Sequence, residues 1–169
     1  MPEPQVSLPK AFAPFRVWAG EWIEQNHSIW DGLLNGYMQT SGDPRPLEWL
    51  YDELRLLVHP RNGAVFVALN DAGVIAGYIA VEFQDSGDGA VIRQWHKNGE
   101  MADARELHRL LLEAVMGLCR ARDELPVPQL VWHSYRLDNR GRISPKVHAA
   151  LAAMGFVPLH TVYYRPIGD

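Results

Sequence analysis

The stretch 94-QWHKNGEMADARELHRLLLEAVMGL-118 leaves a strand, crosses a polar loop and enters an amphipathic helix. Such a joint gathers free backbone N–H groups at the positive end of a helix dipole, which suits a phosphate. Here the loop holds a single glycine, Gly99. Asp103, with Glu106 three residues on, makes a capping arrangement that occupies those N–H groups. Glu100, Asp103 and Glu106 also outnumber Lys97 and Arg105. The loop 136-RLDNRGRISPK-146 is the better anion site, since Arg136, Arg140, Arg142 and Lys146 face only Asp138 and the segment runs into a helix. Two readings stay open for it: a site for phosphates, an acidic peptide or another protein, or solvated charge on an acidic chain. The seven histidines show no H-x-H or H-x-x-x-H pair, so no metal site is expected. There is no G-x-S-x-G elbow and no P-loop. Cys119, late in a helix, reads as a small packed residue.

The elements that must position these residues follow from the apolar pattern. The chain has 169 residues, 47% hydrophobic and 21% charged, with a net charge of −4. That suits one domain, 1–169, and gives no reason to expect nucleic acid or a membrane as partner. With one cysteine and neither a secretory signal nor a membrane-length apolar run, a cytoplasmic protein is expected. Residues 1–14, rich in proline, read as irregular or one short strand. Phe15, Trp18, Trp22, Ile29, Trp30, Leu33 and Tyr37 follow helical spacing, with a bend or break expected at Gly20 or Gly32. A second helix carries Leu47, Leu50, Tyr51, Leu54 and Leu57 and ends at His59-Pro60. The runs 64-AVFVAL-69 and 74-VIAGYIAVEF-83, joined by 70-NDAG-73, predict a hairpin, and 90-AVIRQW-95 adds a third strand. The helix from Asp103, a strand 129-QLVWHSY-135, a short helix from Ser144 to Gly155 and an extended 156-FVPLHTVYYRP-166 complete an α+β, or mixed α/β, domain.

That order, with 144-SPKVHAALAAMGF-156 and the central hairpin, resembles the GNAT superfamily of acyl-CoA-dependent N-acetyltransferases across roughly residues 15 to 165. The helix in that motif is readable by itself. Ser144 caps it, Pro145 sits at its first position, Val147, Leu151 and Met154 form its apolar stripe, and Gly155 supplies a left-handed stop. The resemblance implies a central twisted mixed sheet behind N-terminal helices. It also implies transfer of an acetyl group from acetyl-CoA to a small-molecule or peptide amine.

The residue roles below are implied by that resemblance. Glu82, a strand carboxylate, and His96, an imidazole at a strand end, are the candidates for general base. The family's usual acid is a tyrosine at the position of Leu151, so Tyr135 and His148 are the substitutes. Acetyl-CoA would lie along Trp95, His96, Lys97, Asn98 and Gly99, with Ser144 beside it and main-chain N–H groups around Trp95 to Lys97 polarising the thioester. Trp22 and Trp30 are candidates for lining an acceptor pocket. The departure is the pyrophosphate loop, where active members carry Q/R-x-x-G-x-G/A and this chain has only Gly99. Alternatives are therefore a GNAT-fold binding or regulatory module that has lost CoA, with a protein partner or a second copy of itself, and an unrelated α+β domain.

Overall fold

The structure, a computed structural model, describes residues 12–70, 72–84, 89–98, 104–121, 130–132 and 145–157. The chain falls into two compact units, Met1–Tyr135 and Arg136–Asp169. The first holds strand β1 (Phe12–Val17), helices α1 (Gly20–Gln25), α2 (His27–Ser41) and α3 (Leu47–Leu57), and strands β2 (Gly63–Asn70), β3 (Ile75–Phe83) and β4 (Ala90–Lys97). Helix α4 (Ala104–Ala121) and strand β5 (Leu130–Trp132) follow. The second unit contributes α5 (Pro145–Ala153). The architecture is mixed α and β, as expected.

The sheet order is β1-β2-β3-β4-β5. The first three pairings are antiparallel, and β5 lies parallel to β4 after the α4 crossover. The β2–β3 hairpin owes its turn to two residues. Gly73 takes a φ of 76°, which a side chain would resist, and the Asn70 side-chain oxygen accepts from the N–H groups of Ala72 (3.0 Å) and Val74 (2.8 Å).

One side of the sheet is covered by α1–α3. There Trp30, Leu34, Leu50, Leu54, Val65, Val67 and Tyr78 form a single core. α4 lies on the strands through Leu107, Leu111 and Val115, one i, i+4 line of the expected stripe. Gly63 shows how tightly this sheet is built. A Cβ there would overlap the Val81 carbonyl oxygen and press on Leu57. Gly63→Ala is expected to destabilise by about 1–3 kcal/mol, the usual cost of overpacking; equilibrium urea unfolding checks it, and an unchanged midpoint would refute it.

The segment before α2 departs from the sequence reading. Phe12–Val17 is a strand, although Phe15 carries the first position of a helical spacing. Pairing with β2, from Phe12↔Asn70 to Val17↔Val65, overrides the local pattern, and Pro14 is tolerated because β1 is an edge strand. The helical break comes at Asn26, whose side chain donates to the Trp22 carbonyl at 2.7 Å; Gly32 lies inside α2. α4 begins one residue after the expected cap, Asp103, which itself lies outside the described residues. Val147 and Leu151 are the half-buried positions of α5, Met154 is half-buried in the turn after it, and Gly155 has a φ of 86°, as a left-handed stop requires. The extended segment expected after Phe156 lies outside the described residues from 158 onward. Among the described residues no helix is long and apolar enough to cross a membrane.

Candidate functional site

His96 lies at the end of β4, opposite Tyr78 of β3, with its ring turned to the α2 side. α2 comes unusually close there. A Cβ on Gly36 would stand 2.7 Å from His96 Nε2, so glycine is what lets the ring fit beneath the helix. The next turn supplies Thr40, whose hydroxyl donates to the Gly36 carbonyl at 2.9 Å and lies 3.3 Å from His96 Nδ1. A hydroxyl has one proton to give, so Thr40 accepts from Nδ1–H. In the tautomer that satisfies both contacts, Nδ1 carries the proton and Nε2 presents a lone pair. Nε2 has no hydrogen-bond partner among the described residues.

The ring is buried, and burial, followed by the nearby Lys97 charge, pushes its pKa down to about 4. His96 is therefore neutral across the physiological range. It faces a cavity of about 370 Å3. Ile29, Gly32, Leu33, Gly36 and Thr40 form the α2 wall; Ile75 and Asn98 close it from the strand ends.

The strand beyond this point has a second orientation that matters. The N–H of Asn98 donates to the Ala76 carbonyl at 2.7 Å, so the alternate residues His96 and Gln94 direct their main chain at β3. Trp95 and Lys97 direct theirs to the other edge, where β5 lies. Among the described residues the β4–β5 ladder runs only from Ala90↔Leu130 to Ile92↔Trp132, while β4 continues to Lys97.

Comparison with solved structures gives this arrangement its place. Aminoglycoside N-acetyltransferase AAC(6')-Iy, in complex with CoA, superposes with a TM-score of 0.66 at 14% identity, covering 96% of this chain and 99% of the other. Aminoglycoside 6'-N-acetyltransferase AAC(6')-Ih from Acinetobacter baumannii gives 0.60 at 15% identity, covering 94% and 99%. Ribosomal-protein-alanine N-acetyltransferase from Brucella melitensis gives 0.61 at 14%, covering 94% and 100%. The chain is a GNAT-fold protein. No protein-family profile matches its sequence, and a comparison with curated proteins finds no match.

This GNAT fold separates several residues that the sequence grouped. Glu82 lies on β3 four positions from Tyr78, roughly 13 Å along the strand from His96 at ~3.3 Å per residue. Its carboxylate is held by Arg93 at 2.6 Å, on a half-exposed surface. The two candidate bases are not brought together. Trp95 points to the opposite side of the sheet, stacked on His108 with centroids 4.6 Å apart and edge-on to Trp132 at 5.6 Å. Trp30 is fully buried against Tyr78, and Trp22 packs partly buried on the same core, so neither lines the cavity. Lys146 and His148 are exposed on α5 in the second unit. Gly99, Tyr135, Arg136, Arg140, Arg142 and Ser144 lie outside the described residues. Cys119 is buried, as a packed residue should be.

Sequence reasoning missed Gly32, Gly36 and Thr40, which bring α2 onto His96. It also missed a buried polar network beneath the same strand. Gln94 accepts from the Tyr78 hydroxyl (2.8 Å) and donates to the Leu50 carbonyl (3.2 Å) and to Glu53 (2.9 Å), which satisfies its amide and fixes its orientation. Glu53 in turn accepts from Arg45 at 2.6 Å, and Arg45 grips Asp43 at 2.8 Å. Tyr37 of α2 completes the chain by donating to Asp43 at 2.7 Å. Burial, reinforced by its hydrogen bond to Asp43, pushes the Tyr37 hydroxyl far above its ordinary value. Burial alone would raise the Asp43 carboxyl, but hydrogen bonds from Arg45 and Tyr37 outweigh it and hold the group below its usual range. The network ties the α2–α3 loop to β4 two residues before His96.

Proposed function

We propose that this protein is an N-acetyltransferase that moves the acetyl group of acetyl-CoA to an amine seated in the cavity beneath α2. The observation that carries the reading is His96, a buried neutral imidazole that lines a cavity at the strand end of a fold whose solved neighbours include N-acetyltransferases. Acetyl-CoA would supply the activated acyl group, and one neighbour is a CoA complex. The residues of this chain suited to hold it are Trp95 and Lys97, through main-chain N–H groups directed at the β5 edge.

The chain's own part is orientation. Neutral His96 accepts a hydrogen bond from the amine, Thr40 keeps the ring in the accepting tautomer, and Gly36 lets the helix close over it. The burial that holds His96 unprotonated also disfavours an ammonium against its ring, so the amine is bound there as the free base with its lone pair available. Attack forms the new N–C bond as the C–S bond breaks, and the amine's surplus proton leaves to solvent while the thiolate is released.

A second reading, a binding module of the same fold, is favoured by the low basicity of His96 and by Gly99 as the loop's sole glycine. Calorimetric titration with acetyl-CoA, followed by thiol release with a panel of amines, separates the two. The acetyltransferase reading expects micromolar binding and amine-dependent release. His96→Asn keeps a donor for Thr40 but deletes Nε2, and should lower kcat/KM for the amine about tenfold, the worth of one hydrogen bond, with KM for acetyl-CoA unchanged. No heat at millimolar acetyl-CoA would instead establish the binding module.

A further inference from the structure

The cavity beneath α2 has a composition that narrows its occupant. Ile29, Leu33 and Ile75 supply apolar wall, and Gly32 and Gly36 leave one face of the helix bare at i, i+4 spacing. Thr40, Asn98 and His96 are the polar members, and no carboxylate lines it among the described residues. At about 370 Å3 the space is near the lower end of the ~300–1,000 Å3 usual for small-molecule sites. We infer that the slot between Gly32, Gly36 and His96 takes a small amine bearing a single nitrogen on an apolar alkyl or aryl stem, and rejects polycationic acceptors. This rests on the acetyltransferase reading only for the fate of the amine, because the slot binds whether or not transfer follows.

The physical case has three parts. A second ammonium on the acceptor would find no carboxylate to pair with among the described lining residues. An apolar stem, by contrast, gains from leaving water against Ile29, Leu33 and Ile75. The single polar contact needed at the end of the stem, a hydrogen-bond acceptor for N–H, is the His96 Nε2 lone pair. Gly36 cannot change without moving His96, but Gly32 can: a Cβ there meets nothing within 4 Å. Gly32 is therefore open space kept on a helix where glycine is otherwise unfavourable.

That difference supplies the test. Hexylamine and phenethylamine are compared with spermidine and kanamycin, by calorimetric binding to the full chain and by thiol release from acetyl-CoA. Gly32→Leu fills the slot and improves helix propensity, so its melting temperature should hold or rise. The expected result is binding of the two monoamines and weaker or no binding of the polycations, with at least a tenfold loss of monoamine affinity in Gly32→Leu and unchanged acetyl-CoA affinity. Monoamine binding that Gly32→Leu abolishes, without any thiol release, upholds the slot and refutes the acetyltransferase reading. Thiol release with polycations at equal or higher kcat/KM, indifferent to Gly32→Leu, upholds the transferase and overturns the slot. No binding of either monoamine at millimolar concentration also overturns it. Should Gly32→Leu unfold, Gly32→Ala takes its place: a threefold or greater loss of monoamine affinity upholds the slot, and a smaller one overturns it.

Discussion

Asp43→Asn is expected to destabilise the fold by about 3 kcal/mol, the low end of the cost of breaking a buried charge pair. The side chain of Asp43 has no exposed surface and carries three partners: the Arg45 guanidinium, the Arg45 main-chain N–H and the Tyr37 hydroxyl. The substitution keeps the volume and removes the charge, so Arg45 loses one of its two counter-ions while remaining largely covered. The cost does not reach the top of the range because Glu53 still pairs with Arg45. Tyr37→Phe should cost about 1 kcal/mol, a single hydrogen bond, and the double variant should cost less than the sum because both act through Asp43. Urea unfolding of the three variants decides the matter. A loss below 1 kcal/mol for Asp43→Asn, or strict additivity, would mean the network contributes geometry without stability.

This network also shows where the sequence stops being informative. α3, α4 and the β2–β3 hairpin are readable because each is written locally: Leu50, Leu54 and Leu57 repeat at helical spacing, and Asn70 with Gly73 specifies the turn. Strand β1 is not, because the residues that make it extended are its partners from Val65 to Asn70, some fifty positions away. The site divides in the same way. His96 is readable as a titratable group at a strand end. Gly32 and Gly36 look like helix breakers, since nothing in the sequence tells that a ring from β4 will need the space over Gly36. Asp43, Arg45, Glu53 and Gln94 form one structure from separate segments, and only the packing of α3 across the sheet brings them within hydrogen-bond reach. Glu82 misleads for the opposite reason: a strand carboxylate invites a catalytic reading, and its neighbour across the sheet, Arg93, is visible only in the register.

Lowering the pH from about 7.5 to about 5 should cost the fold about 4 kcal/mol, from His96 and His108 together at about 2 kcal/mol each. Both groups are pushed down to about 4 in the folded protein, His96 by burial and then Lys97, His108 by burial, then Lys97, then His96. The sign follows from which state takes the proton. Unfolded, each imidazole titrates near 6.5 and is charged at pH 5; folded, each remains neutral until about pH 4. The unfolded chain therefore binds more protons through that window, and stability rises with pH from about 4 to 6.5. Above 6.5 both states are neutral and the dependence flattens. The Nε2 atom of His108 is buried with no hydrogen-bond partner among the described residues, so no acceptor rewards its protonation. Asp43 adds a second loss in more acidic solution, because its depressed carboxyl contributes stability that disappears only as pH falls through its folded value, below 3.8. The two windows do not overlap, which makes the assignment testable by variants. His96→Asn and His108→Gln should each remove about half of the slope between pH 5 and 7, and Asp43→Asn should leave that slope intact. Urea midpoints across the range measure it. A flat profile from pH 5 to 7.5 would show that both imidazoles find a partner or solvent on protonation, and His96 could then serve as a proton acceptor in its own right during transfer.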